Sequence, residues 1–405
     1  MHNRLTFCLG GDMSFAIEEI PLGDRRLGAF VEVPWRLFRG DPYWTPPLRA
    51  ELLGSRLLGL TGLLTPAHPY HREADVVHFL ARDGGRLLGR ASATVNRRYN
   101  AYHRDRIGFF GFFDVCEDYG VASALLDRCR EWLLARGMEM MRGPGGYSNA
   151  THEPYQGVLV HGFDAPPTVE LTHNPPYYAE YLERYGLRKA KDYHAYRLEV
   201  APPSDRLLRV ADAVRRRRRI ETRPIDMRRL RDEVNRIVEI YNEAWSNNWG
   251  FLPLTDAEAG TIADSLRSVA DPGLLRFAAV DGETVAVLGA LPDPNVPLRP
   301  RWNRLADLDV SRALRLVATR RRIRRTRLMF FGVRPRFRKL GIDAVLYLEV
   351  LDHALRKGYT TCEPSLLLED NDLVLRASAF MGGIHYKTWR IYEMPLEPGT
   401  PAATG

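Results

Sequence analysis

The sequence predicts a mixed α/β (α+β) protein built from two similar units, each with a mixed β-sheet flanked by helices. The order of hairpin, apolar strand, turn and long amphipathic helix occurs once in each half of the chain, although the two halves are hardly alike in sequence. With 405 residues, the chain is long enough for two domains that each bury their own core. We therefore expect a tandem duplication of one α/β unit.

Each element of the first unit has a local sequence signal. Apolar runs over 76–81 and 86–95 flank Asp83-Gly84-Gly85, a sequence that favours a hairpin turn. A third apolar strand is predicted over 107–115. The helix predicted over 121–135 has apolar residues at helical spacing on one face.

The second unit repeats this layout. Apolar runs over 275–280 and 284–291 flank Asp281-Gly282, another hairpin signal. A strand over 328–333 and a long helix over 342–356 follow it. The same succession of elements predicts the same type of unit.

The chain divides accordingly into four predicted segments. They are a tail over 1–13, an N-terminal unit over 14–200, a linker helix over 201–218 and a C-terminal unit over 219–398. The C-terminal unit carries a Pro- and Arg-rich insertion at about 292–327. Its leucines are set among arginines in a basic amphipathic pattern, which suits a membrane surface or a cover over an active site.

The charge of the chain favours an anionic partner. The net charge is +8, but only five of the 58 basic residues are lysine, and such an arginine bias is often genomic. Arginines cluster at 215–219 and 320–327, either as solvated helix faces or for docking to an anionic membrane surface. Nucleic acid is the less favoured partner, because no zinc-finger or RNA-binding signature accompanies the arginines.

Several classes of protein are disfavoured by the sequence. No apolar run reaches the roughly 18 residues of a transmembrane helix, and the N-terminus lacks a secretory signal. The four cysteines have no metal-like spacing and form no C-x-x-C pair, so we expect reduced thiols and no metal site. We predict a cytoplasmic protein, with peripheral contact at the inner membrane face as an option.

The stretch over 328–344 is the most informative in the chain. It has the pattern of an apolar strand, a short basic turn containing Gly341 and a helix that begins at Ile342. This layout directs backbone N–H groups and a helix dipole at one point, which favours a phosphate or pyrophosphate. Arg338 and Lys339 add positive charge beside that point. A strand–turn–helix without a ligand is the alternative interpretation.

A series of further motifs makes a family resemblance specific. They are Pro34-Trp-Arg-Leu-Phe38, Asp41-Pro-Tyr-Trp-Thr-Pro-Pro-Leu48, Pro66-Ala-His-Pro-Tyr70, Gly108-Phe-Phe-Gly-Phe-Phe113, His161-Gly-Phe-Asp164, Asn174-Pro-Pro-Tyr-Tyr178, Asn247-Asn-Trp-Gly-Phe-Leu-Pro253, Leu368-Glu-Asp-Asn371 and Met381-Gly-Gly383. With them the chain resembles, from about residue 14 to 395, a bacterial family of tandem GNAT-fold proteins that includes bacterial ceramide synthases. The resemblance implies a tandem GNAT-type acyl-CoA N-acyltransferase fold. It also implies transfer of an acyl group from a CoA thioester to a primary amine, with a fatty acyl donor and a sphingoid-type acceptor as one option.

The turn around Gly341 also resembles the acyl-CoA-binding motif of GNAT proteins, Arg/Gln-x-x-Gly-x-Gly/Ala. Arg338, Gly341 and Asp343 fill its three specified positions, although Asp343 replaces a small residue. The acyl-CoA site implied by the resemblance comprises Val333, Arg338, Lys339, Gly341, Ile342, Asp343 and Asn371. In it a backbone N–H near Val333 is the expected oxyanion donor, and Asn371 would bond the pantetheine arm.

The first unit differs at the corresponding turn. There the sequence has Glu117 and Asp118, whose charges would repel phosphates. We therefore expect the N-terminal unit to be a degenerate GNAT-like domain that shapes the acceptor pocket.

Acyl transfer to an amine needs a base, oxyanion donors and a departing thiolate. The sequence has no signature of a covalent nucleophile, so direct transfer is expected. Glu369 is the preferred base, with capping of the following helix as its alternative role. His173 and Glu153, in polar loops of the first unit, are the other catalytic candidates, and each also suits a structural role. Ser378 stands where many GNAT enzymes have a tyrosine acid.

Two alternatives remain open from the sequence. One is an acetyl-CoA-dependent N-acetyltransferase of a small soluble amine. The other is a non-catalytic protein that binds acyl-CoA or nucleic acid through its arginines.

Overall fold

The structure is a computed structural model that describes residues 5–9, 13–146, 156–217 and 219–397. Its strands are Leu5–Leu9 (β1), Met13–Ile20 (β2), Ala74–Asp83 (β3), Arg86–Asn96 (β4), Ile107–Val115 (β5), Met140–Gly143 (β6), Val158–His161 (β7), Arg188–Glu199 (β8), Ile220–Pro224 (β9), Leu275–Val280 (β10), Glu283–Pro292 (β11), Arg325–Val333 (β12), Thr361–Pro364 (β13), Leu367–Leu368 (β14) and Ile384–Pro395 (β15). Its α-helices are Leu27–Leu37 (α1), Arg49–Leu53 (α2), Arg97–His103 (α3), Tyr119–Leu134 (α4), Tyr177–Arg184 (α5), Asp205–Arg217 (α6), Leu230–Ala244 (α7), Asp256–Val269 (α8), Asn295–Leu298 (α9), Asp309–Thr319 (α10), Ile342–Lys357 (α11) and Asp372–Phe380 (α12).

The chain forms two compact units, and neither is a contiguous stretch of sequence. Unit 1 contains Met1–Asp192, Leu298–Leu314 and Lys387–Gly405, and unit 2 contains Tyr193–Pro297 and Arg315–Tyr386. The predicted insertion over 292–327 therefore contributes to both units, and most of the last strand belongs to unit 1.

The sheet of unit 1 has the strand order β1-β2-β3-β4-β5-β6-β15, with β7 also paired to β15. Pairing is antiparallel except between β5 and β6, which run parallel. Residues 5–9, which lie within the predicted tail, form β1 and pair with β2.

Neighbouring residues of a strand face opposite sides of a sheet, and both sides of the unit 1 sheet are covered. Phe79 packs in the cluster that contains α4, and Leu80 packs in the cluster that contains α1.

The sheet of unit 2 has the order β9-β10-β11-β12-β13-β8, and β14 pairs with β8. The predicted hairpin is confirmed: Asp281 and Gly282 have φ values of 51° and 84°, as a tight turn between twisted strands requires. Strands β10 and β11 are apolar on both faces. Ala278 and Leu288 pack in the cluster with α11, and Phe277 and Val287 pack in the cluster with α7. Burial on both faces explains why these strands have nearly continuous apolar runs.

None of the helices in the described ranges has the length and apolar character that crossing a bilayer requires.

Candidate active site

The turn between β12 and α11 leaves five successive backbone N–H groups without an acceptor. Within it, Lys339 and Gly341 have left-handed φ values of 63° and 78°. The N–H groups of residues 339–343 donate to no acceptor in the described part of the chain, and no side chain caps α11. Because α11 has 16 residues, its dipole adds positive partial charge at the same point. The turn has the local geometry of an anion-binding site.

The three charged side chains of this turn have different surroundings. The guanidinium of Arg338 donates a hydrogen bond to the carbonyl of Ala244, at the C-terminal end of α7. Lys339 is exposed and forms no ion pair within the described part of the chain. Asp343 is half-buried in the first turn of α11, where a carboxylate stabilises the helix dipole. Lys339 therefore attracts an anion at this turn, whereas Asp343 repels it.

Gly341 is required by packing as well as by its backbone conformation. A Cβ atom at this position would lie 2.5 Å from Cγ2 of Val214, which belongs to α6. Helix α6 lies against α11, so the predicted linker helix is part of the structure around the turn.

Strand β12 has an open edge beyond Leu328. Its parallel pairing with β13 extends from Arg325 to Leu328 and ends there. On the other side, its pairing with β11 continues to Val333. The last residues of β12 therefore pair with a neighbouring strand along one edge only.

The peptide group of Val333 faces this open edge. The N–H of Arg334 donates to the carbonyl of Val285 in β11, at 2.9 Å. Because successive peptide groups point to opposite sides of a strand, those of Val333 and Phe331 point away from β11. Trp245 follows α7, and its Nε1 donates to the carbonyl of Phe331 at 3.0 Å. The N–H of Val333 thus lies at the end of β12, the strand that leads into the turn before α11.

The predicted residues after β14 lie at the start of α12. Glu369 is half-buried in the turn between them, and Asp370 is exposed. Asn371 is the N-cap of α12, and its Oδ1 accepts a long hydrogen bond of 3.5 Å from the N–H of Val374. Ser378 is buried within α12. Helix capping at this end thus falls to Asn371.

His173 lies in unit 1 and forms a pair with Asp41. Nε2 of His173 is 3.2 Å from Oδ2 of Asp41, and the imidazole side chain is only 6% exposed. Burial raises the pKa of Asp41, but hydrogen bonds from His173 and from the N–H groups of Tyr43 and Trp44 outweigh it and lower the pKa below its ordinary value. When Nε2–H of His173 donates a hydrogen bond to the ionised Asp41, Nδ1 of the uncharged imidazole is an acceptor. Nδ1 is buried and has no partner in the described part of the chain.

Glu153, the third catalytic candidate, lies outside the described residues. The candidates are therefore distributed over both units: the turn, Val333, Glu369 and Asn371 in unit 2, and His173 in unit 1.

Comparison with known proteins identifies the family. No protein-family model matches the chain. It is 33% identical over 381 residues to the bacterial ceramide synthase of Caulobacter vibrioides, a match that spans 91% of this chain and 95% of that protein. It is also 29% identical over 385 residues to protein YghO of Escherichia coli, over 93% of this chain and 94% of that protein. The chain belongs to the tandem GNAT-fold family that includes bacterial ceramide synthases.

Solved structures agree with this family at the level of the fold. A tandem GNAT protein from the clavulanic acid biosynthesis pathway has a TM-score of 0.56 at 13% identity, over 95% of this chain and 100% of that chain. The glucosamine N-acetyltransferase region of a fungal multidomain β-N-acetylglucosaminidase has a TM-score of 0.55 at 15% identity, over 95% of this chain and 38% of that chain. The predicted α/β, tandem GNAT-type fold is confirmed.

The two units of this tandem GNAT protein differ at the corresponding helix N-terminus. In unit 1, Asp118 caps α4 and accepts the N–H groups of Gly120 and Val121 at 2.8 and 3.3 Å. In unit 2, the N-cap of α11 is Gly341, and no side chain caps the helix. Unit 1 therefore supplies its own carboxylate where unit 2 leaves N–H groups available to an anion.

Sequence reasoning missed residues whose partners are remote in the chain. Asp41 is 132 positions from His173, and the spacing of neither residue indicates the pair. A local signal for Asp41 did exist, because an Asp before Pro-Tyr-Trp favours a turn in which its carboxylate accepts the following N–H groups. Trp245 and Val214 had no such signal.

Proposed function

We propose that the protein is an acyl-CoA-dependent N-acyltransferase that moves an acyl group from a CoA thioester to a primary amine. The main support is the run of five unpaired N–H groups over 339–343, at the N-terminus of a long helix and next to the open edge of β12. If the pyrophosphate of CoA binds at this turn, the pantetheine arm can extend along the open edge of β12, where no strand in the described part of the chain pairs with β12 beyond Leu328. Family membership supports acyl transfer as the type of reaction.

In this proposal each part of the unit 2 site has one role. The N–H groups of residues 339–343 bind the pyrophosphate of CoA, with Gly341 allowing the turn and Lys339 adding charge. Arg338 contributes chiefly by fixing the turn to α7. The N–H of Val333 stabilises the oxyanion that forms when the amine attacks the thioester carbonyl. Asn371 bonds the pantetheine arm, and CoA leaves as a thiolate.

The amine must lose a proton during the transfer, and two described residues are proposed as its acceptor. Glu369 is near the start of α12 in unit 2, half-buried and not the helix cap. His173 has the better-defined chemistry, because Asp41 fixes its tautomer and leaves Nδ1 as an acceptor. A kinetic comparison of Glu369→Gln with His173→Gln distinguishes them: loss of kcat with CoA affinity retained identifies the base.

We propose a fatty acyl donor and a sphingoid-type amine as substrates, because the relative from Caulobacter vibrioides is named a bacterial ceramide synthase. Acetyl transfer to a small soluble amine is the second candidate. It is supported by the name of the structural neighbour that is a glucosamine N-acetyltransferase region.

We also propose that the protein works in the cytoplasm at an anionic membrane surface, and the supporting feature is helix α10. Its outer face carries Val310, Leu314 and Val317, which are 42%, 65% and 61% exposed. The inner face carries Arg312, which is fully buried. Exposed arginines follow the helix at 320–322. Apolar residues that face solvent next to arginines are typical of a helix that lies in a lipid interface.

Arg312 holds α10 in this orientation. Its guanidinium donates to the carbonyls of Pro46, Pro47 and Leu298 at 2.6 to 3.0 Å. Burial lowers the pKa of Arg312 to about 10, so the group remains charged at neutral pH. The apolar face of α10 is thus directed outward by hydrogen bonds on the opposite face.

The experiment that tests the proposed function is release of free thiol by the purified protein. Acyl-CoAs from acetyl to palmitoyl are supplied with and without sphinganine or a soluble amine. Release that needs both a long acyl chain and sphinganine supports the lipid reaction. Release with acetyl-CoA and the soluble amine supports the second candidate, and CoA binding without release under any pairing contradicts both.

A further inference from the structure

Unit 1 contains a cavity of about 60 Å³, which has room for on the order of five non-hydrogen atoms. Much of its lining is apolar and aromatic, and includes Trp35, Trp44, Phe113 and Tyr178. Five polar side chains also line it, those of Thr45, Asp114, Thr172, His173 and Asn174. Thr172 donates to the carbonyl of Gly157, and Asn174 accepts the N–H of Leu159. An apolar cavity with a few polar groups is the usual composition of a small-ligand site.

Thr45, Asp114 and His173 each have an atom to which no residue in the described part of the chain forms a hydrogen bond. Oγ1 of Thr45 and Nδ1 of His173 are buried and form no hydrogen bond there. Asp114 forms a salt bridge with the buried Arg90: Nε of Arg90 donates to Oδ2 at 2.7 Å, and Nη2 lies 2.7 Å from the same oxygen. Oδ1 of Asp114 accepts no hydrogen bond from the described residues. Oγ1 of Thr45 and Nδ1 of His173 are buried without a partner, and atoms of this kind are rare in a folded interior and need an explanation.

The chemistry of these atoms defines the ligand that would satisfy them. Oδ1 of Asp114 is an anionic acceptor, and Nδ1 of His173 is an acceptor in the tautomer whose Nε2–H donates to Asp41. Thr45 adds a hydroxyl that both donates and accepts. Two acceptors beside one hydroxyl suit a ligand rich in hydrogen-bond donors.

We infer that this cavity binds a primary amine that carries a neighbouring hydroxyl group, that is, the head of an amino alcohol. The ammonium bonds to Oδ1 of Asp114 and Nδ1 of His173, and the hydroxyl bonds to Thr45. Trp44 adds an aromatic surface that favours a cation. This assignment rests on the proposed function for its biological meaning, since it makes unit 1 the unit that recognises the amine substrate.

The test is direct binding to the full-length protein in the absence of acyl-CoA. Calorimetric titration compares 2-amino-1,3-propanediol with 1,3-propanediol, which lacks the nitrogen. We expect saturable binding of the amine and at least tenfold weaker binding of the diol, because the contact with a carboxylate is charge-assisted. Asp114→Asn should remove this preference for the amine.

Thr45→Val separates ligand binding from folding. The hydroxyl of Thr45 has no partner in the described chain, so its removal leaves the fold intact, even if Asp114→Asn fails to fold because Arg90 loses its counter-charge. We expect Thr45→Val to weaken amine binding about fivefold to tenfold. Thr65→Val is the control: its hydroxyl bonds to Gly62, and Thr65 does not line the cavity.

The possible results distinguish this inference from the proposed function. Wild-type affinity in Thr45→Val, or no binding of the amine by the wild type, would mean that the cavity holds water only, and it would overturn the inference whether or not thiol is released. Amine binding that depends on Thr45, in a protein that releases no thiol with any acyl-CoA, would support the amine site and contradict the proposed reaction.

Discussion

Cγ2 of Val214 lies 2.5 Å from the point that a Cβ atom on Gly341 would occupy. The glycine of the turn between β12 and α11 is therefore also the point at which α6 approaches α11. Its φ of 78° is a second reason for glycine, because other residues rarely adopt the left-handed region. A substitution at this position thus alters packing and backbone strain together with any effect on CoA.

The first prediction concerns this contact. Gly341→Ala should destabilise the protein by about 2–4 kcal/mol, about 1 from the backbone and the rest from overpacking. Val214→Ala should reduce the overpacking part, so the double variant should be less destabilised than the sum of the single variants by about 1 kcal/mol. Urea unfolding of the four proteins measures this coupling. Gly358→Ala is the control, because Gly358 has a φ of 72° but its Cβ would meet nothing closer than 3.8 Å. Additive effects of the 341 and 214 substitutions would contradict the contact.

The second prediction concerns the charges at the turn. Lys339→Gln should weaken the binding of CoA about threefold, and Asp343→Asn should strengthen it by a similar factor, since one charge attracts the pyrophosphate and the other repels it. Both effects should decrease as salt is raised. Titration of CoA at two ionic strengths measures them. Lys357→Gln, at the opposite end of α11, should leave the affinity unchanged. Changes of the same sign for Lys339→Gln and Asp343→Asn would exclude this turn as the pyrophosphate site.

The third prediction concerns the buried imidazole of His78. The side chain is fully buried in unit 1, and Nδ1 donates to the carbonyl of Ile20 at 3.2 Å. Burial lowers the pKa of His78 from 6.5 to about 3. The unfolded chain therefore binds more protons than the folded protein between these pH values, and stability falls as the pH falls from 6.5 toward 3.

From pH 7 to pH 5, the His78 imidazole should account for a loss of about 2 kcal/mol in the free energy of unfolding. His78→Gln keeps an N–H donor for Ile20. Over the same pH range, its free energy of unfolding should fall by about 2 kcal/mol less than that of the wild type. Urea unfolding at the two pH values measures the difference. His161→Gln, at an exposed position, should behave like the wild type. An equal loss in wild type and His78→Gln would show that His78 is not the group responsible.

Local patterns predicted the elements of both units, but they did not predict that each unit is built from separate segments of the chain. Apolar periodicity and turn residues act over a few positions, and the strand predicted over 107–115 agrees with β5. Pairing of Met140 with Pro395 in unit 1 connects residues that are far apart in the sequence, and no local pattern specifies such a pair. The motif turn was recognisable for the same reason as the strands, because its glycine, basic residues and helix are contiguous.

The orientation of the insertion helix was beyond sequence reasoning for a related reason. The sequence of α10 is amphipathic, and such a pattern normally directs the apolar face inward and arginines outward. Here Arg312 is buried because three carbonyls from remote segments accept its hydrogen bonds. Its partners cannot be found by periodicity, so the pattern indicates two faces without indicating which one faces solvent.

The last prediction follows from this reversed orientation. Replacement of Leu314 and Val317 by Gln should reduce binding to vesicles that contain anionic lipid by tenfold or more, because each residue contributes roughly 1 kcal/mol or more when its apolar surface is buried in the interface. Stability should change by less than about 0.5 kcal/mol per site, since both side chains are exposed in the free protein. Flotation with the purified variants measures binding, and Leu57→Gln, a leucine that is 79% exposed outside the insertion, is the matched control.

Arg321→Gln should weaken binding to anionic vesicles alone and leave the weak binding to neutral vesicles unchanged. Equal flotation of wild type and the Leu314 and Val317 variant would mean that this face does not contact lipid, whatever the enzymatic activity of the protein.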